Sequence, residues 1–161
     1  MSTPEIDIRP ATRSDVPLIF SFIRELAEYE RLSQDVVSSE ERVAQTLFGP
    51  KPAAEALIAT VDQQPAGFAV YFQNYSTFAG RPGIYLEDLF VRPALRGKGI
   101  GRRLLARLAT IARDRGCARL EWVVLDWNEP AIRFYETLGA KPLDGWRVFS
   151  LSGKAMDDLA G

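Results

Sequence analysis

The sequence predicts an α/β protein with an early hairpin section and one later crossover. Three features of the 161 residues support this fold class: strand-like and helix-like apolar patterns alternate along the chain, two early strands are joined by a short turn, and a later strand, helix and strand follow in order. A short turn joins antiparallel strands, whereas a helical crossover joins parallel ones. The length suits one domain of ordinary size, so we expect a single domain over 1–161.

The first third of the chain predicts one strand and two helices. Apolar residues alternate with polar ones over 6–10, which favours a strand. Apolar residues at helical spacing predict a helix over 14–29. A second helix is expected to begin near Ser38, which stands in capping-box relation to Glu41, and to end at Gly49.

The middle of the chain predicts a hairpin, a buried strand and a long helix. Strand-like runs at 56–61 and 67–75 are separated by turn residues, which favours a β-hairpin. The continuous apolar character of 84–91 is typical of a strand buried on both faces. One apolar stripe over 99–115 predicts a helix, and Gly116 ends it.

Two strands and one helix are expected in the last part of the chain. An apolar run predicts a strand over 120–125, and residues 146–151 predict the last strand. Between them a helix over 130–138 is expected to end at Gly139.

Composition excludes several kinds of chemistry. Lys and Arg number 20 and Asp and Glu 21, so the formal charge of -1 gives no general attraction to nucleic acid or anionic membrane. The absence of His excludes an imidazole base and a His-ligated metal. Cys117 is the single cysteine, which excludes an intrachain disulfide and fits a reducing compartment. No run approaches the roughly 20 apolar residues of a membrane helix. We therefore expect a cytoplasmic protein that uses no metal.

A glycine-rich loop stands between the buried strand and the long helix. Gly97, Gly99 and Gly101 alternate within 96–101, and glycine permits main-chain conformations closed to other residues. Their amides and the free N–H groups of the following helix would form a donor set suited to phosphate. A flexible surface turn remains the alternative. Arg102 excludes a P-loop, which needs Ser or Thr there, and a dinucleotide fingerprint, which needs Gly.

Basic residues are concentrated around this loop. Residues 92–119 contain nine basic side chains and one acidic one, whereas the rest of the chain contains 11 basic and 20 acidic ones. This asymmetry favours a protein that holds a polyanion in one place and a cation in another. For Arg103, Arg107 and Arg113, a solvated helix face is the alternative.

Two adjacent carboxylates, Glu87 and Asp88, interrupt the apolar strand before the loop. Neighbouring side chains in a strand point to opposite faces, so at least one of the two should be partly desolvated. For Asp88 the pattern favours a structural partner, either an Arg or a backbone amide. Glu87 is expected to face an amine and to accept its proton directly or through water.

Tyr135 is the third candidate. A helix start is expected before Pro130, and Ile132, Tyr135 and Leu138 then share one face of that helix. This spacing predicts that Tyr135 faces inward. Spacing alone favours an ordinary buried tyrosine, bonded to a backbone carbonyl, over a catalytic one.

Taken together, these residues resemble the GCN5-related N-acetyltransferase (GNAT) superfamily. The strand, the loop and the helix are similar to its acetyl-CoA signature, and Asn128 and Tyr135 match its second conserved region. The resemblance is closer still to the spermidine/spermine and thialysine N-acetyltransferases. It covers nearly the whole chain, through residues 8–12, 25–30, 85–91, 124–128 and 145–161. It implies the GNAT fold, a mixed central sheet with an N-terminal antiparallel section and flanking helices.

The resemblance also implies a role for each matched residue. Tyr135 would be the general acid, acetyl-CoA the co-substrate, and a homodimer the assembly. Acetyl-CoA would be bound by Leu89, Phe90, Val91, Arg96, Gly97, Lys98, Gly99, Ile100, Gly101, Arg102, Asn128, Ala131 and Tyr135. The amine site would be lined by Tyr29, Glu30, Glu87, Asp88 and Asp144.

The expected function is transfer of an acetyl group from acetyl-CoA to a primary amine of a small cationic substrate, a polyamine, a diamine or a thialysine-like amino acid. Direct attack by the amine needs no protein nucleophile, so Cys117 is expected to be a core residue. Two alternatives remain open: a protein or peptide N-acetyltransferase of the same fold, and a non-catalytic acyl-CoA-binding regulator. No nucleic-acid or membrane partner is expected.

Overall fold

The computed structural model describes residues 2–161, in two compact units, of which the first runs to Val123 and the second from Val124 to Gly161. The first unit contains a five-stranded sheet of order β1-β2-β3-β4-β5. The strands are β1 (Ile6–Pro10), β2 (Glu55–Val61), β3 (Gln64–Ser76), β4 (Arg81–Val91) and β5 (Leu120–Glu121). Strands β1 to β4 pair antiparallel and β5 runs parallel to β4, which confirms the predicted mixed sheet.

Three helices belong to the first unit and two to the second. They are α1 (Val16–Tyr29), α2 (Glu40–Phe48), α3 (Ile100–Asp114), α4 (Glu129–Thr137) and α5 (Gly153–Ala160). The first four match the predicted helices. The predicted capping box of α2 is one residue out of place, because the N-cap is Ser39, whose hydroxyl accepts from the Arg42 amide at 3.1 Å. Helix α5 has only eight residues and was not predicted.

Two predicted strands differ from the structure. The strand expected over 120–125 is limited to Leu120–Glu121, and 146–151 forms no strand. A strand exists only where a neighbour takes up its amides and carbonyls, whatever its apolar pattern. No ladder to 146–151 forms within the part of the chain that the structure describes, so that prediction is wrong.

The core of the first unit lies on both faces of the sheet. On one face α1 and α2 cover Ile58, Phe68 and Phe90, and the Phe22 and Phe68 rings stack with centroids 5.1 Å apart. On the other face the buried stripe of α3, which includes Leu104 and Leu108, packs against the strands. This packing fixes the end of β4 and the start of α3, the two elements on which the candidate site is built.

Gly67 is required where β3 and β4 approach each other. A Cβ atom at this position would lie 2.4 Å from the carbonyl oxygen of Phe90 and 3.1 Å from the Cα of Val91.

We expect Gly67→Ala to lower the free energy of unfolding by about 1 to 3 kcal/mol, because the strands must separate to admit the methyl group. Urea denaturation measures the change. Gln73→Ala, at an exposed position of the same strand, should stay within about 0.5 kcal/mol of the parent, and equal losses in both variants would contradict the account.

A partly buried ion pair makes the stability depend on acid pH. Arg9 donates to both carboxylate oxygens of Asp15 at 2.7 and 2.8 Å, and this pairing lowers the pKa of Asp15 to about 2. Because the folded pKa lies below the unfolded one, the stabilisation of about 2 kcal/mol is complete near neutral pH and is lost as the pH falls from about 4 to 2. Asp15→Asn should therefore lower the free energy of unfolding near pH 7 and have little effect near pH 2.

Unfolding curves at several pH values test this dependence. Asp114→Asn is the control variant, because the ion pair between Asp114 and Arg113 is exposed to solvent and contributes little to stability. A pH-independent effect of Asp15→Asn would contradict the assignment.

Across residues 2–161, no helix combines the length and apolar character that crossing a bilayer requires.

Candidate functional site

The carboxyl end of β4 leaves one edge without a strand neighbour. On one side β4 pairs with β3 as far as Val91. On the other side the ladder with β5 ends at the pair of Tyr85 and Glu121. Residues 86–91 thus present main-chain donors and acceptors on this side that no strand of the first unit takes up. The predicted cofactor-binding residues 89–91 all lie on this open edge.

A β-bulge at Glu87 marks the start of the open edge. Across the β3–β4 ladder, Val70 lies opposite Asp88 and Tyr71 lies opposite Leu86, so Glu87 is the extra residue. A bulge bends the strand and redirects the side chains next to it. Glu87 is exposed and Asp88 is half-buried, so the two predicted carboxylates have different environments.

The glycine-rich loop delivers main-chain amides to the same end of the sheet. Gly97 and Gly99 have φ angles of 80° and 82°, in the left-handed region that favours glycine. Gly99 is the N-cap of α3 and supplies no side chain, and the first helical hydrogen bond joins the Arg103 amide to its carbonyl at 3.1 Å. The amides of residues 100–102 are therefore not used by the helix itself. This arrangement of loop and helix start suits an anion.

Most of the basic residues around the loop are paired within the protein. The partners are Glu25 for Arg92, the Val91 carbonyl for Arg96, the Ile6 and Ile8 carbonyls for Arg103 and Arg107, and Asp114, Glu55 and Glu121 for Arg113, Arg115 and Arg119. Within 92–119, all of it described by the structure, no protein partner is found for Lys98 or Arg102, and both are exposed. Four of these arginines, Arg92, Arg113, Arg115 and Arg119, are paired with carboxylates, so the positive charge available to a polyanion is smaller than the sequence count.

Asp88 belongs to an acidic cluster that also contains Glu30 and Glu87. Burial is the largest cause that raises the pKa of Asp88 to about 7, and the negative charges of Glu87 and Glu30 add to it. Burial also raises the pKa of Glu30. One of the two strand carboxylates is desolvated, as predicted, and it is Asp88. The Arg or amide partner that the sequence favoured for Asp88 does not fit this result, because such a partner would have lowered its pKa. Within residues 2–161, no three Cys, Asp or Glu side chains are grouped to hold a metal ion.

Arg96 brings the predicted amine site and the predicted cofactor site together. Its guanidinium lies over the Tyr29 ring, 4.6 Å from the centroid, and 5.7 Å from that of Phe90. Its Nε donates to the Val91 carbonyl at 2.9 Å. The last residue of α1 therefore contacts the residue that begins the glycine-rich loop.

The remaining predicted site residues lie in the second unit. Asn128 is buried and caps α4, where its Oδ1 accepts from the Ala131 amide at 3.4 Å. Tyr135 is half-buried on the same helix, with its ring centroid 5.6 Å from that of Phe134. Asp144 is exposed in a turn. This unit thus places Ala131 and Tyr135 on α4, with Asn128 as its N-cap, and the sequence predicted this helix over 130–138.

Sequence reasoning missed one pair beside the site. Arg92 follows β4 and donates from Nε and Nη2 to the two carboxylate oxygens of Glu25, at 3.1 and 3.0 Å. Glu25 lies on α1, 67 positions earlier in the chain. Each of the two is a charged residue next to a run of apolar ones. Many surface residues share this pattern, so the sequence alone could not show that Arg92 and Glu25 are paired.

Comparisons with known proteins agree with this geometry. A model of the "Acetyltransferase (GNAT) family" matches residues 21–140. A thialysine N-epsilon-acetyltransferase of Sus scrofa is 42% identical over 165 residues and 96% of each chain. An L-ornithine N5-acetyltransferase of Arabidopsis thaliana is 32% identical, over 94% of this chain and 86% of its own.

A solved structure supports the fold independently. An integron cassette protein from the mobile metagenome of V. cholerae superposes with a TM-score of 0.80 at 29% identity, over 96% of this chain and 97% of the other. The family model spans most of the chain, and the two relatives align over nearly all of it. The resemblance indicated by the sequence is therefore confirmed, and the chain is an acyltransferase that belongs to the GNAT acetyltransferase family.

Proposed function

We propose that this protein is an N-acetyltransferase that moves the acetyl group of acetyl-CoA to a primary amine of a small cationic substrate, which is a polyamine, a diamine or a thialysine-like amino acid. One observation carries the proposal: the left-handed Gly97 and Gly99 place the start of α3, whose first amides have no side-chain cap, at the open end of β4. Relatives named for thialysine and ornithine acetylation support the class of amine.

The residues at this end of the sheet suit acetyl-CoA. A Cβ atom on Gly97 or Gly99 would enter open space, so a ligand can approach the main chain there. The helix start favours an anion, and Lys98 and Arg102 add positive charge. We assign the diphosphate to residues 97–102, the pantetheine to the main chain of 89–91, and the thiol end to Asn128, Ala131 and Tyr135. When bound, acetyl-CoA supplies the thioester that donates the acetyl group.

The acidic cluster suits the acceptor amine. An alkylammonium with a pKa near 10.4 must lose a proton before it can attack, at a cost of about 4 to 5 kcal/mol near neutral pH. Carboxylates attract the ammonium group, and one of them accepts its proton, directly or through water. We assign the amine site to Tyr29, Glu30, Glu87, Asp88 and Asp144, with Glu87 or Asp88 as the proton acceptor.

Two further groups complete the mechanism. A main-chain amide near Leu89 polarises the thioester oxygen, and Tyr135 protonates the departing thiolate. The amine attacks directly, so no cysteine nucleophile is required. Cys117 is half-buried after α3, where its amide donates to the Ala112 carbonyl at 2.8 Å, and a packing role accounts for it.

The proposal includes the assembly. We propose one domain over 1–161 that works as a cytoplasmic homodimer. An exposed apolar segment supports the dimer, because a subunit interface covers surfaces of this kind. Its side chains, Trp146, Val148 and Phe149, are 82%, 84% and 93% exposed.

An amine panel tests the function. Purified protein is incubated with acetyl-CoA and with thialysine, lysine, ornithine, putrescine, spermidine or peptides, and thiol release is followed. We expect release with at least one free amine, an acetylated product in the mass spectrum, and slower release with every peptide. Release with peptides alone would indicate a protein acetyltransferase instead, and tight acetyl-CoA binding without release across the panel would indicate a regulator.

A further inference from the structure

The segment that joins β4 to the glycine-rich loop is attached to α1 by two arginines. Arg92 and Arg96 flank a 3₁₀ turn, Pro93–Leu95. Both guanidinium groups contact side chains of α1. The segment is therefore held at both of its ends, immediately before Gly97.

Arg92 holds the first end. Its guanidinium makes the two hydrogen bonds to Glu25 and lies 4.7 Å from the centroid of the Phe22 ring. A third bond, from Nη1 to the Pro65 carbonyl, is 3.4 Å long. A bidentate carboxylate pair that also stacks on a ring fixes the orientation of the guanidinium.

Arg96 holds the second end with a different set of contacts. The stacking on Tyr29 and the bond from Nε to the Val91 carbonyl both use the planar guanidinium. In this pose the side chain folds back over Phe90 and Tyr29, so its charge is directed to the aromatic rings.

The contacts on α1 form a single stripe. Phe22, Glu25 and Tyr29 are three and four residues apart, which places them on one face of the helix. The two arginines therefore lie along one side of α1. Since Gly97 follows Arg96 directly, the position of the loop amides depends on the end of α1, the same end that carries Glu30.

We propose that Arg96 is a positioning residue for acetyl-CoA binding: by stacking on Tyr29 and holding the Val91 carbonyl, it fixes the loop whose amides take the diphosphate, and it does not itself bind the phosphates. This inference rests on the proposed function and refines it. It reassigns Arg96 from the phosphate ligands to the support of the loop and leaves Lys98 and Arg102 as the cations that face the ligand.

A double-mutant cycle on coenzyme A binding, measured without amine, tests the proposal. Arg96→Gln and Tyr29→Leu should each weaken binding about tenfold, since either change removes the stacking contact. The double variant should bind no more weakly than the weaker single variant, because both changes remove the same interaction. Tyr29→Phe keeps the ring and should bind coenzyme A more tightly than Tyr29→Leu.

Lys98→Ala is the matched control. It removes a charge at the loop without touching Tyr29, so its effect should multiply with that of Tyr29→Leu. In steady-state assays Arg96→Gln should raise the KM for acetyl-CoA about tenfold with little change in kcat or Tm. A loss of Tm in parallel with binding would instead indicate a general structural role and overturn the proposal.

Hydrogen exchange of the ligand-free protein separates this inference from the proposed function. The amides of Leu95 and Arg103, which are hydrogen-bonded on either side of the loop, should exchange faster in Arg96→Gln and Tyr29→Leu and at the parent rate in Lys98→Ala. Unchanged exchange in the first two variants, or losses that multiply between Arg96→Gln and Tyr29→Leu, would overturn the positioning role. Absence of coenzyme A binding in the parent protein would overturn the proposed function, and the exchange rates would still decide the role of Arg96.

Discussion

The Tyr135→Phe variant is expected to lose turnover by about 10²-fold or more while it still binds acetyl-CoA. The change removes the phenolic proton and keeps the ring that contacts Phe134. With a thiol pKa near 8.5 and a tyrosine pKa near 10 as ordinary values, proton transfer to the thiolate is uphill by about 2 kcal/mol in water, which local fields can offset. Thiol release measures turnover, and calorimetry measures binding.

A second tyrosine provides the control for this variant. Tyr75 lies in β3 with 63% of its surface exposed, and Tyr75→Phe should keep the parent rate. Retained turnover in Tyr135→Phe would remove Tyr135 from the role of general acid.

The Asp88→Asn variant is expected to lose turnover by about 10²-fold and to lose the pH dependence of the parent near neutrality. The pKa of Asp88 is raised to about 7, so the parent should gain activity as the pH rises through about 7 and the carboxylate becomes able to accept a proton. Initial rates between about pH 6 and 9, at saturating acetyl-CoA, measure this profile.

The same variant should be more stable than the parent at alkaline pH. Because the folded pKa of Asp88 lies above the unfolded one, the stability of the parent falls as the pH rises from about 4 to 7, and Asp88→Asn removes that loss. Lower activity combined with a higher Tm near pH 8 is the signature of a desolvated functional carboxylate. A Tm that falls in step with activity would contradict it.

Glu87→Gln distinguishes the two carboxylates. If Asp88 is the base, removal of the negative charge of Glu87 should move the inflection to lower pH and keep much of the turnover, since that charge helps to raise the pKa of Asp88. Loss of activity in Glu87→Gln together with retained activity in Asp88→Asn would contradict Asp88 as the base and would assign that role to Glu87, the carboxylate expected from the sequence.

The sequence predicts most of the first unit because its patterns are local. Alternation along β1 and the apolar stripes of α1 and α3 report which residues face the core, and packing in the structure follows them. The loop was also predictable, since alternate glycines before a helix have few structural uses other than left-handed turns, which Gly97 and Gly99 adopt.

Features that depend on pairing could not be predicted in this way. The bulge at Glu87 is visible only in the register of β4 against β3. The apolar pattern of 146–151 favours a strand, but among residues 2–161 the structure provides no neighbouring strand with which these residues pair, so none forms. A count of charges likewise does not reveal that Arg115 is neutralised by Glu55, 60 positions away. The different burial of Glu87 and Asp88 follows from the same register.

Calorimetric titration of the parent protein with acetyl-CoA and with S-acetylpantetheine tests the central claim most directly, because the second compound carries the thioester without the diphosphate. If the amides of 97–102 hold the diphosphate, acetyl-CoA should bind at least about 100-fold more tightly, as expected for loss of several charge-assisted hydrogen bonds. Equal affinities, or no heat of binding with acetyl-CoA, would contradict the account.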